Sequence, residues 1–162
     1  RIDLGGIAKG YAIDQGIALL KASGVEHAWL ALGGDSYVLG DHRGRPWEVG
    51  IQHPRDQKKV AMRLPISNIA MSTSGDYQRY FIQEGRRIHH ILSPQTGKSI
   101  DGLASVTVLA NNSLDADALS TSVFVLGVEK GLALINRLAD TSAIIIDRGG
   151  NVFYSDDLTT PE

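Results

Sequence analysis

The sequence predicts an α+β fold, a largely antiparallel sheet with helices packed against it. Two observations lead there. Strand-like segments outnumber helical ones, and most neighbouring strand segments lie close enough to pair as hairpins. A doubly wound parallel sheet would instead need a helix between successive strands.

The elements follow in order. Residues 7–23 read as a helix, because Ala8, Tyr11, Ala12, Ala18, Leu19 and Ala22 recur near helical spacing and Gly24 can end it. Residues 28–32 are a short apolar run before Gly33-Gly34, predicted as a buried strand. Residues 37–40 and 47–52 are predicted to pair with each other, the polar residues 41–45 making the turn. Residues 59–64 alternate weakly, and residues 69–72 lead into Thr73-Ser74-Gly75-Asp76. Residues 79–83 and 87–92 form a hairpin across Glu84-Gly85. Residues 105–110 make a β-branched strand. Residues 115–126 are helical, Gly127 breaks them, and residues 129–138 are a second helix. Residues 143–147 and 151–154 form a last hairpin through Arg148-Gly149-Gly150.

The 162 residues, 43% hydrophobic and 21% charged, suit one soluble globular domain. There is no cysteine, which excludes thiol nucleophiles, thiolate zinc sites and disulfide frameworks. That absence also suits a periplasmic setting. The net charge of −2 gives no general attraction to nucleic acid or acidic membrane. No apolar run reaches the roughly 18 residues of a membrane span. The opening Arg1-Ile2-Asp3-Leu4-Gly5-Gly6 reads as a strand end entering a turn, so an upstream part is expected to be missing.

Five clusters could carry chemistry. Gly5-Gly6 before a helix, with Lys9 in its first turn, is either a cradle for a diphosphate or a tight strand–helix turn. It is neither a P-loop nor a dinucleotide fingerprint. Asp117 and Thr121 stand four residues apart, on one helix face. A carboxylate and a hydroxyl so placed suit a hard cation such as Mg²⁺, although an acidic helix start explains the carboxylate equally. Ser72-Thr73-Ser74-Gly75 is a phosphate contact or a turn. His89 and His90 are adjacent on a predicted strand and point to opposite faces, so they cannot readily share a metal. Leu32-Gly33-Gly34-Asp35 is a glycine turn that could also approach a ligand.

Taken in order, these segments resemble the ApbE family of flavin transferases. The resemblance is carried by residues 3–12, 32–35, 47–54, 72–77, 89–97 and 116–127. It implies an enzyme that moves FMN from FAD to a Thr or Ser hydroxyl of an acceptor protein, typically an electron-transfer subunit, releasing AMP. It implies Mg²⁺ on Asp117, Thr121 and a backbone carbonyl near Ala8. It implies FAD contacts from Asp3, Gly5, Gly6, Lys9, Thr73, Ser74 and Gly75. His90 matches a histidine beside the flavin and is the candidate base. Family members are longer than this chain and are typically periplasmic, so the chain is expected to be a C-terminal portion. Ser93 replaces the usual Asp before Pro94, which weakens any role for a carboxylate there. An FAD-binding module without an acceptor, or an FAD pyrophosphatase, would use the same residues.

Overall fold

The computed structural model describes residues 4–56 and 58–159. The chain runs α1 (Ala8–Ala22), β1 (Ala28–Leu32), β2 (Asp35–Leu39), β3 (Trp47–Gln52), β4 (Val60–Ile66), β5 (Ile69–Gly75), β6 (Tyr80–Gln83), β7 (Arg86–His89), β8 (Leu103–Ala110), α2 (Ser113–Ile135), β9 (Ser142–Asp147) and β10 (Val152–Tyr154). Six strands form one sheet in the order β1-β2-β5-β8-β9-β10, each neighbouring pair antiparallel. β3–β4 and β6–β7 are separate hairpins. This is the α+β architecture the sequence predicts.

Strand parity builds three layers. Tyr37, Ala70, Val106, Val108 and Ile145 face the helices and share a core with Ile13, Ile17, Val123 and Phe124. Their neighbours Val38, Met71, Leu109 and Ile144 face the other way and meet Val49 and Ile51 of β3. β2 and β8 are buried along their whole length because both faces of the sheet are covered there.

Three sequence expectations are corrected. β2 pairs with β1 and β5 rather than with β3. Gly33 and Gly34 both take positive φ (57° and 97°), which closes a two-residue hairpin turn directly onto Asp35. β3 instead pairs with β4 and covers the sheet with alternate residues. Second, β1 is an edge strand and not a buried one, with Trp29 50% exposed and Leu32 47% exposed. Third, α1 buries Gly10, Ile13 and Ile17 and leaves Tyr11 and Leu19 exposed. Gly10 decides that face, because a Cβ there would lie 2.2 Å from the Ser113 carbonyl oxygen of α2. Only the glycine side of α1 lets the helices approach so closely.

The helix ends obey local rules. Gly24 (φ 78°) follows α1, its N–H reaching the Lys21 carbonyl while that of Val25 reaches Leu20, the Schellman pattern. α2 starts two residues before the predicted Asp115, capped by Asn112, whose side chain accepts from the Asp115 N–H at 2.8 Å. Gly127 (φ 80°, ψ −179°) interrupts it where the sequence places a break. Among the described residues, α2 is the one helix whose length and mean hydropathy (1.6) would let it cross a membrane. It lies instead against the sheet, with Ala116, Ser120, Val123 and Phe124 buried, as a core helix does.

Candidate functional site

The site forms where the N-terminal turns of α1 and α2 meet the helix-facing side of β2 and β5. Asp117, in the second turn of α2, is 2% exposed. One carboxylate oxygen accepts from Lys9 Nζ at 2.8 Å and the other from the Gly10 N–H at 3.1 Å. Lys9 therefore points inward, across α1, and not out toward solvent. Its ammonium also lies 3.0 Å from Oδ2 of Asp35, the first residue of β2 and likewise 2% exposed. Burial opposes the charge on Lys9, but its bonds to Asp117 and Asp35 outweigh burial and raise its pKa. Burial pushes the Asp35 carboxyl up, against the hydrogen bond from Ser72 and the charge of Lys9.

A chain of hydroxyls continues from this pair. Ser72 Oγ donates to Asp35 Oδ1 at 2.7 Å and lies 3.0 Å from Ser120 Oγ. Ser120 Oγ is 2.9 Å from Ser74 Oγ, which is 3.1 Å from Thr121 Oγ1. Thr121 opens onto an apolar groove of about 560 Å³, lined by Leu4, Gly6, Ile7, Leu92, Pro94, Ala118, Ser122, Val125 and Leu126. A buried ionic cluster thus grades through hydroxyls into an open apolar slot.

The structure brings together some predicted residues and separates others. Lys9, Ser74, Asp117 and Thr121 join one network. Gly6 lies against Thr121, where a Cβ on the glycine would sit 4.0 Å from Oγ1, with Gly5 before it in the turn and Ala8 opening the helix two residues on. Asp3 lies outside the described residues. Thr73 does not reach the network. On β5 its neighbours Ser72 and Ser74 face the helices, so Thr73 faces the β3 side and pairs with Thr107 at 2.8 Å. Gly75 has a packing reason, since a Cβ there would lie 2.6 Å from the Tyr77 ring.

His89 and His90 diverge, but not by strand parity: β7 ends at His89, short of the predicted 87–92, and His90 lies in the bend that follows. His89 is buried. Its Nδ1 accepts from the Ile91 N–H, so Nε2 is the protonated nitrogen that donates to the Ile100 carbonyl at 2.7 Å. Burial lowers its pKa. His90 is exposed, with Nδ1 3.3 Å from the Arg79 carbonyl. A carbonyl only accepts, so that bond needs the proton on Nδ1 and leaves the Nε2 lone pair open. The described contacts of His90 do not include Asp117, Thr121 or Lys9, although Leu92 and Pro94 just beyond it line the groove.

Sequence reasoning placed Asp35 and Ser72 in two of its clusters without giving either a defined role, and it missed Asp14 and Ser120 as parts of the site. Asp14 supplies both carboxylate oxygens to the first N–H groups of α2, Ser113 at 2.7 Å and Leu114 at 2.9 Å. The period-2 pattern of residues 70–74 carried a usable signal for Ser72, since it shares the parity of Ser74. Asp14 depends on how two helices cross, which no local pattern encodes. Among the described residues no three His, Cys, Asp or Glu side chains converge as a metal site. The oxygen donors present are the Asp117 and Asp35 carboxylates, hydroxyls and backbone, a hard and incomplete set that substrate oxygens or water would complete.

The sequence model of the ApbE family matches residues 1–146. Among curated proteins, the chain is 40% identical over 156 residues to an FAD:protein FMN transferase of Klebsiella pneumoniae, covering 95% of this chain and 48% of that protein. It is 37% identical to one of Rhodobacter capsulatus, covering 100% of this chain and 30% of that protein. Among solved structures, the ApbE protein of Thermotoga maritima superposes with a TM-score of 0.91 at 36% identity, covering 98% of this chain and 52% of that one. The Pseudomonas stutzeri flavinyl transferase ApbE, in its apo form, gives 0.82 at 39% identity, covering 98% of this chain and 50% of that one. The chain thus spans about half the length of most of these relatives, and less of the Rhodobacter protein.

Proposed function

Because this chain belongs to the ApbE family, we propose that it carries the metal and phosphate side of a transferase that moves FMN from FAD to a Thr or Ser hydroxyl of an acceptor protein, releasing AMP. One observation supports this above the others: the buried cluster of Asp117, Lys9 and Asp35 leads, from Asp35 through the Ser72, Ser120, Ser74 and Thr121 hydroxyls, to an apolar groove. A charged end and an apolar end in one site suit a diphosphate joined to a flat ring.

In this reading Mg²⁺ would be held by Asp117, Thr121 and a backbone carbonyl near Ala8. The residues fit it in two respects: a cationic group already sits 2.8 Å from Asp117, and the donors are hard oxygens. Bound there, the ion would neutralise charge on the FAD diphosphate. The start of α1 adds its dipole to the same oxygens. Leu92, Val125 and Leu126 offer the flavin ring an apolar wall and exclude water from one side of the reacting phosphorus. His90 takes the proton from the acceptor hydroxyl at its open Nε2. The new bond joins the acceptor oxygen to the flavin-side phosphorus, and the bond from that phosphorus to the AMP oxygen breaks. The proposal includes an exported, periplasmic setting and an acceptor from an electron-transfer complex, as the family resemblance suggests.

The test is flavin transfer to such an acceptor by a protein that joins this chain to an upstream half, read by in-gel flavin fluorescence with and without Mg²⁺. Labelling that needs Mg²⁺ and vanishes in Asp117→Ala is expected. FAD binding without labelling or AMP release would sink the transferase reading in favour of a binding module.

A further inference from the structure

Two buried carboxylates, Asp35 and Asp117, share one ammonium. Asp35 Oδ2 is fully buried and has no hydrogen bond of good geometry; its contact is the ion pair to Lys9. Asp117 Oδ1 also takes Lys9, while its Oδ2 is held by the Gly10 N–H. The oxygen of Asp117 that faces a cation is therefore already filled. A buried pair of carboxylates without a counter-charge would be strongly disfavoured, so Lys9 holds the cluster together in the absence of any other cation.

We infer that the Lys9 ammonium is the resident cation of this pair, and that a divalent cation reaches Asp117 only by exchange, Lys9 withdrawing onto Asp35. This rests on the reading of Asp117 as a metal ligand. Asp35 is placed to keep the ammonium, which already lies 3.0 Å from its Oδ2. Its Oδ1 is anchored by Ser72, which leaves the poorly bonded Oδ2 to receive Lys9 when Asp117 is taken. Lys9 is 35% exposed along its side chain, so the stem has room to move. Lys9 is thus a positioning residue: it sets how readily the site loads and keeps it folded when empty.

The probe is Mn²⁺ alone, bound to the protein without flavin and followed by the electron paramagnetic resonance of free Mn²⁺. Lys9→Met removes the competitor and should bind Mn²⁺ severalfold more tightly than the native protein. Lys9→Arg is the discriminating variant. It keeps the charge but holds carboxylates through a planar fork, so exchange is harder and Mn²⁺ affinity should fall. A simple charge effect would leave Lys9→Arg unchanged and would overturn the inference. It also keeps the test alive if Lys9→Met does not fold. Mn²⁺-soaked crystals, read by anomalous scattering, should place the ion on Asp117 with Lys9 Nζ beyond hydrogen-bond distance of Oδ1. Mn²⁺ on Asp117 with Lys9 still bonded to Oδ1 would overturn the exchange and leave the metal reading intact. No Mn²⁺ on Asp117 in native protein or in either variant would overturn both.

Discussion

Asp14 and Asp117 cap each other's helices. Asp14, on α1, accepts from the Ser113 and Leu114 N–H groups that open α2, and Asp117, on α2, accepts from the Gly10 N–H in the first turn of α1. Each helix start has open N–H donors and a positive dipole end, and each finds its carboxylate on the other helix. The reciprocity fixes the two N-termini side by side, and that places Lys9, Asp117 and Thr121 together. Asp14→Ala should lower stability by about 1–2 kcal/mol, the usual cost of losing a helix cap. Asp14→Asn, which keeps an acceptor oxygen, should lose less. Urea unfolding followed by circular dichroism measures both, and equal losses would show that charge rather than capping matters.

The close helix crossing makes a second prediction. Gly10→Ala puts a methyl group 2.2 Å from the rigid Ser113 backbone, so α1 must move away from α2. Overpacking of this kind costs about 1–3 kcal/mol, and here it also disturbs the Gly10 bond to Asp117. Gly16→Ala is the internal comparison. Its new methyl meets the end of the Leu30 side chain at 2.5 Å, and that side chain can rotate away. Helix propensity then favours alanine by roughly 1 kcal/mol, so Gly16→Ala should be near neutral or stabilising. Thermal unfolding of the two variants should diverge in sign or at least clearly in size.

His89 gives the fold a pH dependence. Its pKa is lowered below the ordinary 6.5, chiefly by burial. The unfolded chain therefore binds the proton more readily than the folded one. The stability that neutral His89 contributes is present above pH 6.5 and is lost as the pH falls through the depressed folded value. Protonating Nδ1 would also turn the acceptor of the Ile91 N–H into a second donor facing it. The melting temperature should drop between pH 7.5 and 5.5, and His89→Gln should flatten that drop while lowering stability at pH 7.5. An unchanged slope in the variant would assign the pH dependence to other groups.

Much of the fold was legible because its signals are local. The break at Gly127, the end at Gly24 and the Glu84-Gly85 turn each follow from a backbone geometry glycine favours, and Glu84 (φ 50°) and Gly85 (φ 75°) are both left-handed. Pairing was less legible. Residues 37–40 and 47–52 both read as strands, but Gly33-Gly34 had already committed β2 to β1, and β3 lies in a different layer. In the site, Lys9, Asp117 and Thr121 were visible as spacing on helices. Their true partners were not, because Asp35 and Ser72 enter from β2 and β5 through tertiary packing. Thr73 shows how parity decides: one step along β5 exchanges the hydroxyl network for the Thr107 contact.

The strongest ionic knot lies away from the helix ends and yields the last prediction. Asp76 follows β5 and is wholly buried, and three arginines converge on it. Arg55, from the β3–β4 connection, binds both oxygens in a fork, at 2.6 and 2.9 Å. Arg87 of β7 adds a bond at 3.3 Å and stacks over the Tyr80 ring at 4.0 Å. Arg148, from the β9–β10 turn, approaches at 3.7 Å and also pairs with Asp101. One carboxylate thus ties the β3–β4 layer, the β6–β7 hairpin and the far end of the main sheet to β5. Asp76→Ala leaves three partly exposed guanidinium groups repelling one another without their anchor. The loss should approach the roughly 3 kcal/mol at the low end for a broken buried ion pair, since the arginines regain some water. Arg87→Ala should cost less, because Arg55 keeps its fork on the carboxylate. Guanidinium chloride would screen these charges, so urea is the denaturant to use. A loss for Arg87→Ala equal to that for Asp76→Ala would mean that the stacking on Tyr80, and not the shared carboxylate, holds the hairpin in place.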